Sequence, residues 1–530
     1  MVTNLSKTNL IVMEEHDRLV PATDALASDE AAPARLSTTR RFGVALAGLA
    51  AAGVVAFAGK STFGSMNAKS KVTNLATDVP FAKDAFAKST KFVPSGDNWK
   101  SRPDVIAMAQ RKPVYGDLDE DGMRARFEAF KVEHSRKYES VEEEATRFGN
   151  FKENLKYIDY LNKYNPLALF DATESADYSS EERQRKRMAG HWADYDNMKS
   201  KLPQEMVAAA ARSPKEVLGK SFKADLPKAT AEGLFPLSGK KEEDARRLLD
   251  QSQGEVAWAS VSDCAACTRF PTFEKYSTDN RPTNFDWRAL GAVTSVKNQK
   301  DCGSCWSFST AQDIEGVHYL AGNDLISFAE QQLVACDVVN DGCDGGWMYA
   351  AMQYVTATGG IVTDESYPYK GVMMTYDLPT PTCDTSLINK AVEADDSSTF
   401  GHIEGYQMVA MGAEYEDFMA TFLVKNGPIS IAVNANGMDY YVDGITGCEK
   451  IAGEEYCEAG TIADYEPCDP TVLDHGVLIT AYGEQDGVDY WMIKNSWSEY
   501  WGDKGYYRMT RGSNECGVAN MAAHTVYKKL

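Results

Sequence analysis

The chain has 530 residues, too many for one domain and enough for two or three, and its 43% hydrophobic content is ordinary for packed cores. A net charge of −22 excludes a nucleic-acid binder with a basic face and suits a soluble protein. Eleven cysteines, an odd number, cannot all be paired with one another.

Residues 1–41 read as an N-terminal tail. Residues 42–59 are uncharged and rich in Ala, Gly and Val, between Arg40-Arg41 and Lys60. The segment just reaches the length of a membrane-crossing helix, with the paired arginines on the cytoplasmic side. A signal-anchor, a cleaved signal peptide ending near Ala56-Phe57-Ala58 and a buried helix compete. We favour the anchor, because the preceding tail is long for a leader and too acidic for an organelle transit peptide. Anchor and cleaved signal alike deliver the rest of the chain to the secretory pathway, for a lysosomal or vacuolar lumen or for secretion. Residues 60–116 lack sustained periodicity and are expected to be a linker.

An acidic stretch follows. Asp117, Asp119, Asp121, Gly122 and Glu128 fit the formula of a calcium-binding EF-hand loop. Arg124 stands where such loops place an apolar residue, and Pro113 interrupts an entering helix, so an acidic helix start is the favoured reading. A helical pair comes next. Phe127, Phe130, Lys131, His134, Lys137 and Tyr138 mark the first helix. Glu143, Arg147, Phe151, Asn154, Ile158 and Asn162 step by three or four along one face of the second. Residues 183–270 carry no motif with a function attached. Cys264 and Cys267 lack the further ligands a zinc site needs, so no metal is expected.

Residues 299–310 read Gln-Lys-Asp-Cys-Gly-Ser-Cys-Trp-Ser-Phe-Ser-Thr. Cys305 stands directly before Trp306, Phe308, Ile314, Val317 and Leu320, whose spacing predicts a helix buried along one face. A thiol at a helix N-terminus feels the positive end of the dipole, which favours thiolate. Gln299 offers an amide for an oxyanion. Such a nucleophile needs a base, and the base an orienting group. Asp474-His475-Gly476 and Lys494-Asn495-Ser496-Trp497 supply both. A redox Cys-x-x-Cys pair of Cys302 and Cys305 is the competing reading, disfavoured because no βαβ unit surrounds it. His318, His402 and His524 read as structural.

The motif Cys302-Gly303-Ser304-Cys305-Trp306 resembles the papain and cathepsin family of cysteine proteases. Asp286-Trp287-Arg288, Gly342-Cys343-Asp344-Gly345-Gly346, Tyr367-Pro368-Tyr369, His475-Gly476-Val477 and Asn495-Ser496-Trp497 continue the likeness over about 281–530. Glu143 to Asn162 is similar to the inhibitory propeptide motif of cathepsin L-like zymogens, and residues 170–182 are the best remnant of the next propeptide element. His475 and Asn495 lie farther from Cys305 than the roughly 130–150 residues usual in the family. An insertion between Tyr441 and Cys468 absorbs much of the excess.

The resemblance implies an α+β fold: a helical lobe led by Cys305 packed on a β-barrel lobe carrying His475 and Asn495, preceded by a mainly helical propeptide domain. The boundaries are then 117–275 for the propeptide with its extended region and 276–530 for the catalytic domain. Short strands are expected at 429–433, 476–482 and 490–494. Cys305, His475, Asn495 and Gln299 become the catalytic set, with Trp497 shielding the His–Asn bond. Gly345 and Gly346 would bind extended substrate, with Asp474 and Trp497 as further substrate-binding residues. Trp347, Met348, Ala432, Leu473 and Met521 would line an apolar pocket for the second residue before the cleaved bond. The same resemblance suggests disulfides Cys302–Cys343, Cys336–Cys383 and Cys468–Cys516. Cys448 and Cys457 would close a local loop, although Cys448 competes with Cys468 for Cys516. The implied function is a cysteine endopeptidase made as an inactive precursor, with protein substrates, its own propeptide as inhibitor and no cofactor. A transpeptidase or ligase using the same residues, or an inactive binding homologue, are the alternatives.

Overall fold

A computed structural model of the chain describes residues 92–187, 195–222, 256–260, 262–371, 382–394, 396–460 and 468–527. The 42–59 segment lies outside them; among the described residues no helix is long and apolar enough to cross a membrane.

The stretch 60–116, expected as linker, is structured from residue 92 onward. Helix α1 (Pro103–Ala109) starts on a proline, where no N–H is needed. Trp99 and Val105 are buried with Ile445, Cys448 and Ile451 of the catalytic half. Two well-placed apolar side chains make no period, and so the sequence reads as linker.

Helices α2 (Glu120–Glu133) and α3 (Val141–Tyr164) are the predicted pair. Asp119 caps α2 by accepting from the Gly122 N–H at 2.8 Å. Asp121 and Glu128 both lie inside α2. A calcium loop would have to wrap those residues around one ion, so the acidic stretch is a helix start. Phe127, Phe130, Phe148 and Phe151 join the two helices in an aromatic cluster.

The polar residues on the marked face of α3 hold the segment that follows. Asn154 Nδ2 donates to the Ala176 and Tyr178 carbonyls at 2.8 and 2.9 Å, and its Oδ1 accepts from Arg183. Arg147 pairs with Glu182 at 2.6 Å. Asn162 exchanges two 2.9 Å bonds with the Phe170 backbone. These fix β1 (Ala168–Phe170), β-augmented onto the catalytic half.

The remaining strands are β2 (Ser221–Phe222), β3 (Val256–Trp258), β4 (Phe285–Asp286), β5 (Ile361–Val362), β6 (Phe400–Gly401), β7 (Ile403–Ala410), β8 (Ile429–Val433), β9 (Tyr441–Gly444), β10 (His475–Gln485), β11 (Val488–Lys494), β12 (Tyr506–Thr510) and β13 (Ala522–Tyr527). Nine form one sheet in the order β12-β11-β10-β8-β13-β7-β3-β2, with β4 on β10; β1 pairs with β9 and β5 with β6. Part of the tract 183–270, which carries no motif, is therefore sheet: β3 runs parallel to β7, Ala257 opposite Gln407, and β2 follows it. Cys264 and Cys267 are disulfide-bonded just beyond.

The helix predicted at Cys305 spans Cys305–Leu320 and packs against β10, β13 and the helix Met348–Thr358. It was expected to bury one face, yet of its residues only Tyr319 is not buried. Its polar positions are tolerated because each charge has a partner. Asp313 meets His524 and Thr525, and Glu315 meets Lys297 and Thr294. The first residues of this helix and of β10 meet, Gly476 lying against the Cys305 backbone.

Candidate active site

Cys305 is the first residue of the central helix, after Ser304 as N-cap, and is the chain's one free cysteine. The other ten pair as Cys264–Cys267, Cys302–Cys343, Cys336–Cys383, Cys448–Cys457 and Cys468–Cys516. The Cys302 bridge ties the loop before the helix to Cys343, beside Gly345 and Gly346. Gly303 is tightly enclosed: a Cβ there would come within 2.6 Å of the Arg187 carbonyl and 2.5 Å of the Cys343 carbonyl. Cys468, Glu515 and Cys516 are the described residues with ligand-like spacing, and two of them are a disulfide rather than thiolates.

His475 opens β10. Its Nε2 lies 2.8 Å from Asn495 Oδ1, which makes Nε2 the protonated nitrogen because an amide oxygen only accepts. Gly476, the next residue, lies against Cys305: a Cβ added there would be 3.2 Å from the Cys305 carbonyl group and 3.0 Å from Met348 Sδ. The Trp497 ring lies 4.7 Å from the His475 ring and meets Trp501 edge-on at 5.3 Å, covering the His475–Asn495 pair.

Gln299 is held by three side-chain contacts that the sequence did not reveal. Ser496 Oγ donates to Gln299 Oε1 at 2.6 Å, which turns the amide nitrogen inward. That nitrogen donates to the Lys186 carbonyl at 2.7 Å and to the Cys302 carbonyl at 2.9 Å. The Lys186 carbonyl thus sits on the donor expected to hold an oxyanion. Ser496 lies inside a motif already marked, so its position beside Asn495 was the available signal.

Arg187 was missed altogether. Its guanidinium is buried among Asp439, Asp474 and Asn436, with Nη1 3.1 Å from Asp474 and 3.1 Å from Asn436 and Nη2 bonded to Asp439. The segment enters the cleft beside Tyr440, where the Asp171 N–H meets the Tyr440 carbonyl. It resumes as the helix Tyr195–Lys201, whose Lys201 feels the charge of Asp341; the Asp341 N–H in turn donates to the Gly345 carbonyl.

The proposed pocket residues are all buried. Trp347 donates its N–H to Asn340 at 2.7 Å, Ala432 stands opposite Gly476, and the Ala432 N–H donates to Met521. Met348 meets Gly476, so Met348, Ala432 and Met521 gather around Gly476. Leu473 packs against Gly517.

Burial dominates the ionisation of the pair. The Cys305 thiol is pushed up to about 12, first by desolvation and then by the Asp474 charge, against backbone N–H groups that pull it down. The His475 imidazole is pushed down to about 4, by desolvation first, with the Asn495 bond opposing and Arg187 adding to the fall. Burial of the closed form thus works against the thiolate that the helix dipole favours. An expected outcome follows for alkylation by iodoacetamide. In the intact chain at pH 7 Cys305 should react at least about 10³-fold more slowly than after the propeptide is removed, because only thiolate reacts. Its rate should still be climbing with pH above 10, since a raised thiol pKa moves the titration to higher pH. Equal rates at pH 7 would contradict this.

A single free cysteine at a helix start, an amide-held imidazole and an amide donor are thus placed as the resemblance implies. The chain matches the papain family of cysteine proteases over residues 281–526 and the cathepsin propeptide inhibitor domain over 127–183, and it belongs to the papain family. It is 37% identical over 262 residues to cysteine proteinase 15A of Pisum sativum, covering 46% of this chain and 62% of that protein. It is 37% identical over 258 residues to digestive cysteine proteinase 2 of Homarus americanus, covering 48% and 69%. A crystal structure of a ragweed pollen allergen cysteine protease in its proform superposes with a TM-score of 0.50 at 25% identity, covering 77% of this chain and 94% of that one. The chain thus spans under two thirds of the pea enzyme it matches.

Proposed function

We propose that this chain is the precursor of a cysteine endopeptidase that cuts after accepting an apolar side chain at the second position before the scissile bond. The observation that carries the reading is Cys305 at a helix start with Gly476 against its backbone, next to an imidazole whose Nε2 is held 2.8 Å from Asn495. Once water and substrate replace the propeptide, desolvation of the pair falls and the helix dipole and imidazolium favour thiolate. The sulfur attacks the carbonyl carbon, and the oxyanion is met by Gln299 Nε2 and the Cys305 N–H. His475 gives its proton to the leaving amine, water then attacks the acyl-enzyme, and Asn495 keeps the ring oriented throughout. Trp497 excludes water from that bond.

Until then the segment 183–187 blocks the cleft, passing from the Tyr440 side towards Gly345. Lys186 takes the oxyanion donor and Arg187 the carboxylates beside His475. Five disulfides support an oxidising compartment.

The test is peptide profiling after removal of the propeptide. Trp347, Met348, Ala432 and Met521 offer no partner to a charged side chain, so Leu, Val or Phe at the second position should exceed Arg by at least about tenfold in kcat/KM. A strong preference for Arg there would refute the pocket.

A further inference from the structure

We propose that the first subsite on the leaving-group side of the cleft is an anionic cavity for an arginine or lysine side chain, with Asp439 and Asp474 as its carboxylates; this rests on the peptidase reading above. The cavity is displayed with its ligand type in place. The Arg187 guanidinium lies 3.1 Å from Asp474 Oδ2 and 3.1 Å from Asn436 Oδ1, and bonds Asp439 Oδ2. Arg187 is 4% exposed and Asp439 2%, so this is a built and desolvated site rather than a surface encounter.

Three features tie the cavity to substrate. First, its cations come from the part that must leave. Among the described residues the ion pairs of Asp439 and Asp474 are with Arg187 and Arg183, both in the propeptide segment. When that segment goes, two neighbouring carboxylates lose their counter-charges together, and a new cation is the ligand that restores the balance. Second, the carboxylates are fixed without it. Asp474 Oδ1 accepts from the Ala435 N–H at 2.7 Å, leaving Oδ2 for a guest, and Asp439 lies on the 3-10 turn Met438–Tyr440, whose Met438 carbonyl accepts from the Trp501 indole at 3.0 Å. Asn436 is braced by its N–H to Asn434 Oδ1 at 2.8 Å. Third, the location follows from the chemistry. His475 must protonate the leaving amine, so the residue bearing that amine lies against His475, and Asp474 is its immediate neighbour in the chain. The acyl part lies on the other flank, by Gly345 and Gly346. A guanidinium carried by the first residue after the cut therefore falls where Arg187 lies now, and its planar fork suits two carboxylates better than an ammonium does.

The experiment uses the full chain after activation and three internally quenched peptides, each with Leu at the second position before the cut and with Arg, Ala or Glu directly after it. The expected order of kcat/KM is Arg above Ala above Glu, with Arg over Ala by at least about tenfold. Equal turnover of the Arg and Ala peptides overturns the inference and leaves the peptidase reading standing; no turnover of any peptide overturns both. In Asp439→Asn the Arg-to-Ala ratio should fall towards one, and in Asp439→Glu it should be retained in part; an unchanged ratio in Asp439→Asn overturns the inference. Should that variant fail to fold, acyl-enzyme of the unsubstituted protein is partitioned between water and argininamide or alaninamide. Preferential capture by argininamide supports the cavity, and equal capture overturns it.

Discussion

Cys305→Ser in the activated protein should turn over a Leu-bearing fluorogenic peptide at least about 10⁴-fold more slowly than the unsubstituted enzyme, because a nucleophile and its base act as a unit. The hydroxyl is close in size to the thiol, so the buried start of the central helix keeps its packing, and Gly476 still meets the same backbone. What is lost is ionisation: an imidazole can hold a proton taken from a thiol at neutral pH far more readily than one taken from an alcohol. Folding is checked by the far-UV spectrum and by release of the propeptide to an added protease. Undiminished turnover would remove Cys305 from the reaction and the proposed function with it.

Arg187→Met should open the closed form. The substitution keeps much of the side chain's volume and deletes its charge, leaving Asp439 and Asp474 buried with Arg183 no nearer than 3.9 Å. Removing one partner of a buried pair typically costs about 3–5 kcal/mol, which corresponds to roughly 10²- to 4 × 10³-fold weaker closure. The readout is alkylation of Cys305 in the uncut chain at pH 7, where the variant should approach the rate of the activated protein. A variant labelled as slowly as the parent would mean that α3 and β1 hold the cleft shut without Arg187.

The residues that follow one another in sequence were the legible ones. The helix at Cys305–Leu320, the strands β8, β10 and β11, and the α2–α3 pair follow from local period and from motifs of a few residues. Cys305, His475, Asn495 and Gln299 were found because each sits in a short recognisable context. Arg187 and Asp439 were not, since neither has a context of its own. Arg187 lies in the 183–270 tract that carries no motif, and its meaning comes only from two carboxylates more than two hundred residues away. Trp99 escaped for a related reason: one aromatic on a short 3-10 turn has no rhythm, yet it packs on Tyr456 at 4.6 Å. The burial that raises the Cys305 thiol pKa in this form was not legible, because the dipole is visible in a sequence and the covering segment is not.

The parallel pairing of β3 with β7 makes the position of the processing cut a question of solubility as well as of activity. A cleavage between β2 and β3 would leave Val256–Trp258 stitched alongside Met408, and the flank of the great sheet would remain clothed. A cleavage beyond Trp258 would strip that flank, baring a row of unanswered amides and carbonyls ready to zip onto another molecule.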